Sequence, residues 1–316
     1  MPLIRFEQAG LSNVRLLTEL WKREPPRAFT RVGDVWELEL GALPVDRLEY
    51  ALELVFPDGR VERRLDPHAP TVDAPFGPTS VFISEHYRAP SWVCHAGPAG
   101  TTEPIAEGLL WTAPGLTPQT PAPLIIAHDG PEYARLAGLT DFLAAAGVPP
   151  VRAVLLQPRA RDEAYSASPP AAESLANELL PALEKRFAIT TRIGLGASLG
   201  GLAMLHAHRR HPHLFSALVL QSGSFFQRDL DVHEHRFSRF ERIDAFVREV
   251  ATTPGHPIPV MLTCGSAEEN LANNQAMARV LRAQGYQVEL HTVRDGHTWT
   301  CWRDTLAQSL GALLGR

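Results

Sequence analysis

Hydrophobic and polar positions alternate along the first part of the chain. In Asp34-Val-Trp-Glu-Leu-Glu-Leu40, Trp36, Leu38 and Leu40 face one way and Glu37 and Glu39 the other, a period of two that predicts a strand with one wet face. Leu48, Tyr50, Leu52, Leu54 and Phe56 continue that period. Pro57-Asp58-Gly59 supplies a turn, with Pro fixing φ and Gly tolerating positive φ, and 61–65 is the predicted return strand of a hairpin. Asp66-Pro67-His68-Ala69-Pro70 interrupts it, and a further short strand is expected over 80–84. Residues 96–107 read as a connection or hairpin loop. These elements predict a small antiparallel β-sandwich.

From about residue 105 the pattern changes to short apolar runs separated by helical stretches. Buried strands are predicted over 123–127, 152–156, 192–196, 217–220, 259–263 and 287–291, and helices near 134–146, 171–187, 199–210, 272–284 and 299–313. In the second helix Ala172, Leu175, Leu179, Leu180 and Leu183 recur every three or four residues and form one apolar face. Strands alternating with helices predict a mostly parallel sheet with helices on both faces, with ligands bound beyond the C-terminal strand ends. The expected organisation is a β-sandwich over 1–104 and an α/β domain over 105–316.

Composition narrows the function classes. The chain has 316 residues, and 30 Lys plus Arg against 35 Asp plus Glu give a net charge of −5, which speaks against nucleic acid as a partner. No apolar run approaches the ~18–20 residues of a membrane-spanning helix, so no membrane association is expected. The opening Met-Pro-Leu-Ile-Arg-Phe-Glu-Gln lacks a basic segment followed by an apolar core, so no secretory signal is expected. Cys94, Cys264 and Cys301 are widely spaced and form no CxxC; the expectation is a reducing cytoplasm, with neither a disulfide framework nor a structural metal. HExxH is absent as well, and no cofactor is implied.

The strongest chemical signal is Gly196-Ala-Ser198-Leu-Gly200, a G-x-S-x-G string placed between an apolar strand and a helix. Such a tight turn exposes the serine hydroxyl with a helix N-terminus behind it. Serine needs a general base oriented by an acid, and in α/β-hydrolases these follow in the order Ser, Asp or Glu, His. His297 is the predicted base, in a Gly-containing loop between the last strand and the last helix. His206, His208, His211 and His213 lie on or just past the helix behind the serine, and most are expected at the surface. His233, His235 and His256 follow no strand. The acid should follow the strand that ends at Gly265; Glu268 is the first choice, Glu269 the reserve, and Asp295 ranks third as too close in sequence to His297.

Gly194-Leu-Gly-Ala-Ser-Leu-Gly-Gly-Leu202, Gln221-Ser-Gly-Ser-Phe225, Gly296-His-Thr-Trp-Thr-Cys-Trp-Arg303 and Arg161-Asp-Glu-Ala-Tyr165 resemble the enterochelin esterase group of the esterase-D-like α/β-hydrolases. Phe56-Pro-Asp-Gly59, Leu65-Asp-Pro67 and Tyr87-Arg-Ala-Pro-Ser-Trp92 are similar to the N-terminal sandwich of that group. The resemblance implies an α/β-hydrolase fold behind a small β-sandwich, catecholate-siderophore lactones or related aryl esters as substrates, and an acid three residues after the strand-end glycine, which is again Glu268.

An oxyanion hole needs two N–H donors. Leu199 supplies one, and the other should come from His128-Asp-Gly-Pro-Glu-Tyr133. The residue that commonly donates is here Pro131, which has no N–H, so Gly130, Glu132 or the Tyr133 hydroxyl must serve, or the hole is weaker. Arg161 is a candidate for an anionic substrate or an acidic loop residue, with a surface ion pair to Asp162 or Glu163 as the plainer alternative. Trp299 and Trp302 are candidates for an aromatic acyl pocket or for packing of the last helix, and Trp92 and Tyr87 are equally open. The expected function is a serine esterase acting on a small-molecule ester. The rivals are a weak or silent binding protein using its sandwich, or an acyltransferase or peptidase on the same triad. Covering the active site or mediating a homodimer are the roles left open for the first module.

Overall fold

The computed structural model describes residues 3–21, 27–94, 99–145 and 147–315. The chain divides into two compact units. One holds residues 1–88 with two short later segments, 266–268 and 294–298; the other holds 89–265, 269–293 and 299–316.

The first unit contains strands β1 (Leu3–Glu7), β2 (Asn13–Leu17), β3 (Arg27–Ala28), β4 (Thr30–Val32), β5 (Val35–Glu39), β6 (Arg47–Val55), β7 (Val61–Arg64), β8 (Thr71–Val72) and β9 (Thr79–Ile83). They form one sheet in the order β1-β5-β4 and another in the order β3-β2-β6-β9-β8, with β7 also paired to β6. Ile4, Phe6 and Trp36 from the smaller sheet share a core with Val14, Leu16, Leu48, Tyr50, Leu52 and Leu54 from the larger, so the expected sandwich forms. The Pro-Asp-Gly turn closes as its residues dictate: Gly59, at φ 84°, donates its N–H to the Phe56 carbonyl at 3.0 Å.

The second unit is built on β10 (Thr101–Ile105), β11 (Gly108–Thr112), β12 (Ala122–Ala127), β13 (Arg152–Leu156), β14 (Ile189–Ala197), β15 (Ala217–Gln221), β16 (Pro259–Gly265) and β17 (Gln287–Val293). Among the described residues these form one sheet in the order β10-β11-β13-β12-β14-β15-β16-β17. The first two pairings are antiparallel and the remaining five parallel. Leu124, Ile126, Leu218 and Leu220 enter the core on one face, and Ile125, Ala127, Ala217 and Val219 the core on the other. Burial on both faces is why these strands read as continuous apolar runs. This is the α/β-hydrolase architecture behind an antiparallel sandwich.

The helices are α1 (Gly130–Leu136), α2 (Leu139–Ala144), α3 (Arg161–Tyr165), α4 (Pro169–Ser174), α5 (Leu180–Glu184), α6 (Leu199–Arg210), α7 (Phe240–Thr252), α8 (Leu271–Ala283), α9 (Trp299–Asp304) and α10 (Ala312–Leu314). The single helix expected over 134–146 is two, broken at Gly138, whose φ is 57°; residue 146 lies outside the described residues. Between α4 and α5 a wide turn over Leu175–Leu179 carries the chain past Pro181, which has no N–H to continue the ladder. The loop expected over 96–107 is different too: residues 96–98 lie outside the described residues, and 101–105 are strand β10, the outer strand of the large sheet. A division after residue 104 therefore falls inside β10. Helix α7 was not predicted. Its buried Phe240, Ile243, Phe246, Val247 and Val250 do carry helical spacing.

Candidate active site

Ser198 sits at the N-cap of α6 with φ 56° and ψ −124°, a conformation that L residues rarely adopt. It follows β14 directly, and its own N–H donates to the Gln221 carbonyl of the neighbouring strand at 2.9 Å. The glycines of the motif have distinct reasons. A Cβ on Gly196 would meet the Gly200 carbonyl carbon at 2.3 Å, so the strand and helix can cross here only without it. A Cβ on Gly200 would lie 3.2 Å from the His128 Cβ, which is tight but not closed. The Ser198 hydroxyl is half-buried and stands 3.2 Å from that of Ser224. Leu199, first residue of α6, has an N–H with no partner inside the helix, as helix geometry requires.

The His128–Tyr133 loop leads from β12 into α1. Asp129 has φ 51°, and its N–H donates to the Tyr165 hydroxyl at 2.9 Å. Its carboxylate accepts two bonds from Arg161, Nε to Oδ1 at 2.8 Å and Nη2 to Oδ2 at 2.7 Å. Arg161 is thus a clamp on this loop: of the alternatives open to it, the pair with an acidic loop residue forms, with Asp129 and not with Asp162 or Glu163. Burial pulls the Arg161 pKa down, but the bonds and charge of Asp129 outweigh it and hold the guanidinium above its ordinary value. His128 is buried, its ring 4.2 Å from that of Tyr165; burial, then the charge of Arg161, lowers its pKa to about 3 and keeps it neutral. Gly130 packs so closely that a Cβ would lie 2.2 Å from the Leu155 Cα. Pro131 stands in the first turn of α1, where no intrahelical donor is needed, so its missing N–H costs the helix nothing. Gly130 and Glu132 have first-turn N–H groups of the kind a helix leaves unpaired.

Tyr133 is different from the expectation. Its side chain is fully buried and its hydroxyl, expected as a possible oxyanion donor, donates to Gln221 Oε1 at 2.7 Å. Gln221 in turn donates to the Trp302 carbonyl at 2.9 Å and to Thr305 Oγ1 at 2.8 Å. Trp302 packs in the core, with Nε1 donating to Ser222 Oγ at 2.9 Å. Trp299 is half-buried, edge-on to Tyr133 at 5.1 Å and to Trp302 at 4.8 Å. Trp92 meets Phe142 edge-on at 5.2 Å. The segment after Gln221 is held by Asn274, whose Oδ1 accepts the Gly223 N–H at 3.0 Å and whose Nδ2 donates to the Gly223 carbonyl at 2.8 Å. Sequence reasoning did not single out Ser224, Asn274 or Asp129; the only trace of the first was the Gln-Ser-Gly-Ser-Phe string.

In the first unit, His297 Nδ1 donates to Glu268 Oε2 at 2.8 Å. The Glu268 side chain is wholly covered and that of His297 is one-third exposed. Glu269 turns elsewhere: its carboxylate lies 3.4 Å from His233 Nε2. His233, Glu234 and Glu269 bring their ligand atoms within 4.8 Å, the one cluster of metal-ligating type among the described residues. Asp295 uses its side chain locally, accepting the Gly296 N–H at 2.7 Å. Of the four histidines on or just past the helix behind the serine, His213 is exposed and His211 half-buried, while His206 and His208 depart from a surface placement. His206 packs edge-on against Phe246 of α7 at 5.0 Å, and His208 Nε2 meets the His256 carbonyl at 2.8 Å. Both are buried because α7 and the chain around 256 cover α6, and burial lowers each pKa to about 4.

Residues 112–313 match the protein family described as "Putative esterase". The iron(III) enterobactin esterase of Dickeya dadantii is 32% identical over 127 residues, 38% of this chain and 28% of that relative, so the matched segment spans less than a third of the relative's length. The crystal structure of the enterobactin esterase from Shigella flexneri, solved in the presence of enterobactin, aligns over 98% of this chain and 92% of its own at 18% identity and a TM-score of 0.78. That of the ferric enterobactin esterase from Salmonella typhimurium aligns over 99% and 94% at 18% identity and a TM-score of 0.79. These two likenesses show the fold. No helix among the described residues is long and apolar enough to cross a membrane.

Proposed function

Because the chain belongs to the esterase family, we propose that it hydrolyses carboxylic esters through an acyl-enzyme formed on Ser198. His297 takes the serine proton and later gives it to the leaving alkoxide. Glu268 holds the imidazole in the tautomer whose Nε2 accepts that proton, and stabilises the imidazolium that forms. The Leu199 N–H and an N–H from the first turn of α1, Gly130 or Glu132, receive the oxyanion. Water activated by His297 then releases the acid. The observation that carries this reading is the strained backbone. Of the four non-glycine residues at positive φ among those described, Ser198 is the nucleophile, Asp129 lies in the oxyanion loop and Ser222 follows the strand that borders Ser198. Strain of this kind persists where the surrounding structure enforces it, and it clusters at functional sites.

For the substrate, the name of the Dickeya relative and the enterobactin present in the Shigella structure favour catecholate-siderophore lactones or their linear aryl-amide esters. Three free thiols suit a reducing compartment, and we place the protein in the cytoplasm. A fluorophosphonate probe should label the wild-type protein and leave Ser198→Ala unlabelled; equal labelling of both would overturn the reading. Assayed with aryl and alkyl esters of graded length and a ferric catecholate trilactone, the enzyme is expected to prefer the trilactone. Cleavage of short acyl esters alone would remove the siderophore assignment and leave the esterase.

A further inference from the structure

The Leu43–Asp46 turn of the sandwich touches the loop that carries His297, and it does so reciprocally. The Asp46 N–H donates to the Arg294 carbonyl at 2.8 Å, while Arg294 Nε donates back to Asp46 Oδ1 at 3.1 Å and Nη2 to the Leu43 carbonyl at 3.0 Å. The turn is itself fixed: Val45 is buried, Leu43 packs against the sandwich core, and the Asp46 carbonyl accepts the Ser84 N–H at 2.9 Å. The acid's loop is tied to the same frame. Ala267 packs against the sandwich core, and its N–H donates to the Asp295 carbonyl at 3.3 Å. One residue beyond Ala267 is Glu268, and two beyond Asp295 is His297, whose imidazole bonds that carboxylate at 2.8 Å. All of these residues belong to one compact unit.

We propose that the sandwich is a positioning module for the general base, with Asp46 and Arg294 as positioning residues that set the His297–Glu268 pair. The proposal rests on the hydrolase reading for its effect on rate, but the placement of the pair is measurable without turnover. Three bonds converge on Arg294, three residues before His297, and they leave that loop little freedom to translate. An exposed ion pair is ordinarily worth little, and Arg294 is largely exposed. Here its second bond goes to a backbone carbonyl, and its own carbonyl is held as well, so the contact fixes a direction more than it adds stability.

The test uses the full chain with Arg294→Ala, Asp46→Asn, Arg294→Lys and, as a control in the same sandwich, Arg5→Ala, which breaks the surface pair with Glu37. The wild type should show a far-downfield proton resonance from the His297 Nδ1–H bonded to Glu268, absent in Glu268→Gln. In Arg294→Ala the resonance is expected to broaden or vanish, and kcat on an aryl ester to fall by about 10-fold, short of the ~10²-fold cost of an ångström-scale misplacement. KM should stay within about twofold, since substrate contacts are untouched. Arg294→Lys, which keeps a cationic donor, and Asp46→Asn, which keeps the Arg294 bond to the Leu43 carbonyl, should fall between, and Arg5→Ala should match the wild type. A resonance and kcat unchanged in Arg294→Ala would overturn the proposal, as would an equal loss in Arg5→Ala. If the wild type neither turns over nor labels at Ser198 but the resonance still depends on Arg294, the hydrolase reading falls and the positioning role stands.

Discussion

His297 Nδ1 lies 2.8 Å from Glu268 Oε2, and the carboxylate has no exposed side-chain surface. The adjacent Glu269 faces His233. A covered acid on Nδ1 leaves Nε2 as the basic nitrogen, so the two neighbouring glutamates should separate cleanly by mutation. Glu268→Gln is expected to lower kcat on an aryl ester by about 10²–10⁴-fold, the range for losing the tautomer-fixing acid of a triad. Glu269→Gln should stay within about threefold. Steady-state kinetics of both variants decide it; a larger loss in Glu269→Gln reverses the assignment.

The elbow glycines should differ in tolerance. Gly196→Ala drives a methyl to 2.3 Å from backbone, and no side chain can move aside, so the variant is expected to fail to accumulate as folded protein. Gly200→Ala meets the His128 Cβ at 3.2 Å and should fold with a lowered thermal midpoint and reduced kcat. Soluble yield and a melting curve for each variant test this; equal behaviour would mean that the turn adapts.

Tyr133→Phe removes one hydroxyl and leaves Gln221 Oε1 without its donor in a buried setting. Such an orphaned acceptor costs roughly 1–3 kcal/mol. Urea unfolding should show that loss, with kcat changed much less than stability, because the hydroxyl is engaged with Gln221. A collapse of kcat at unchanged stability would return Tyr133 to a catalytic role.

Arg161→Lys keeps the charge but not the fork that binds both Asp129 oxygens. The proposed oxyanion loop should loosen, with kcat reduced about 3–10-fold, in keeping with misplacement well under an ångström, and KM little altered. A pure KM effect on anionic esters would instead make Arg161 a substrate contact.

Acid should destabilise the protein below the usual histidine range. His206 and His208 have native pKa values of about 4, against about 6.5 when unfolded. As pH falls, the unfolded chain takes up these protons first, so the stability they allow is complete above about 6.5 and is lost on the way down to about 4. Each could contribute up to about 3 kcal/mol of that loss. Replacing both with Phe and Gln, in either order, should make the urea-midpoint profile shallower between pH 6.5 and 4, with buried His128, at a native pKa of about 3, keeping part of the slope. A profile as steep as that of the wild type would place the sensitivity elsewhere.

Much of the large sheet was legible because its central strands are buried on both faces and so appear as apolar runs. Ser198 was legible for a related reason, since a tight strand-to-helix crossing demands glycines that the sequence displays. Glu268 headed the candidates in the loop after Gly265, with Glu269 left open beside it, and only the resemblance to the enterochelin esterase group, whose acid falls three residues past that glycine, pointed to it a second time. What escaped has a different physical origin. Arg161 with Asp129 and Arg294 with Asp46 are contacts between residues far apart in the chain, and charge type alone names too many partners for either. His206 and His208 looked polar and terminal because nothing in their own segment tells that α7 will lie across them. Helix α7 carries its helical spacing in Phe240, Ile243, Phe246, Val247 and Val250, but in a polar stretch that borders no predicted strand. The hairpin of β10 and β11 was hidden by Pro104 and the threonines, which suit an edge strand as well as a loop.

Gln221 accepts a bond from Tyr133 and gives its two amide protons to Trp302 and Thr305, residues 81 and 84 positions further along the chain. On a ribosome, the strand bearing Gln221 emerges long before those acceptors exist. At roughly 5–20 residues per second the gap lasts about 4–16 s. During that interval Tyr133 is already present to serve the Gln221 oxygen, but the two amide protons beside the proposed nucleophile lack the acceptors they finally bind, and the sheet around them cannot close dry. The serine's surroundings are therefore among the last parts of the protein to mature, and a chaperone that shields that strand end would act in those few seconds.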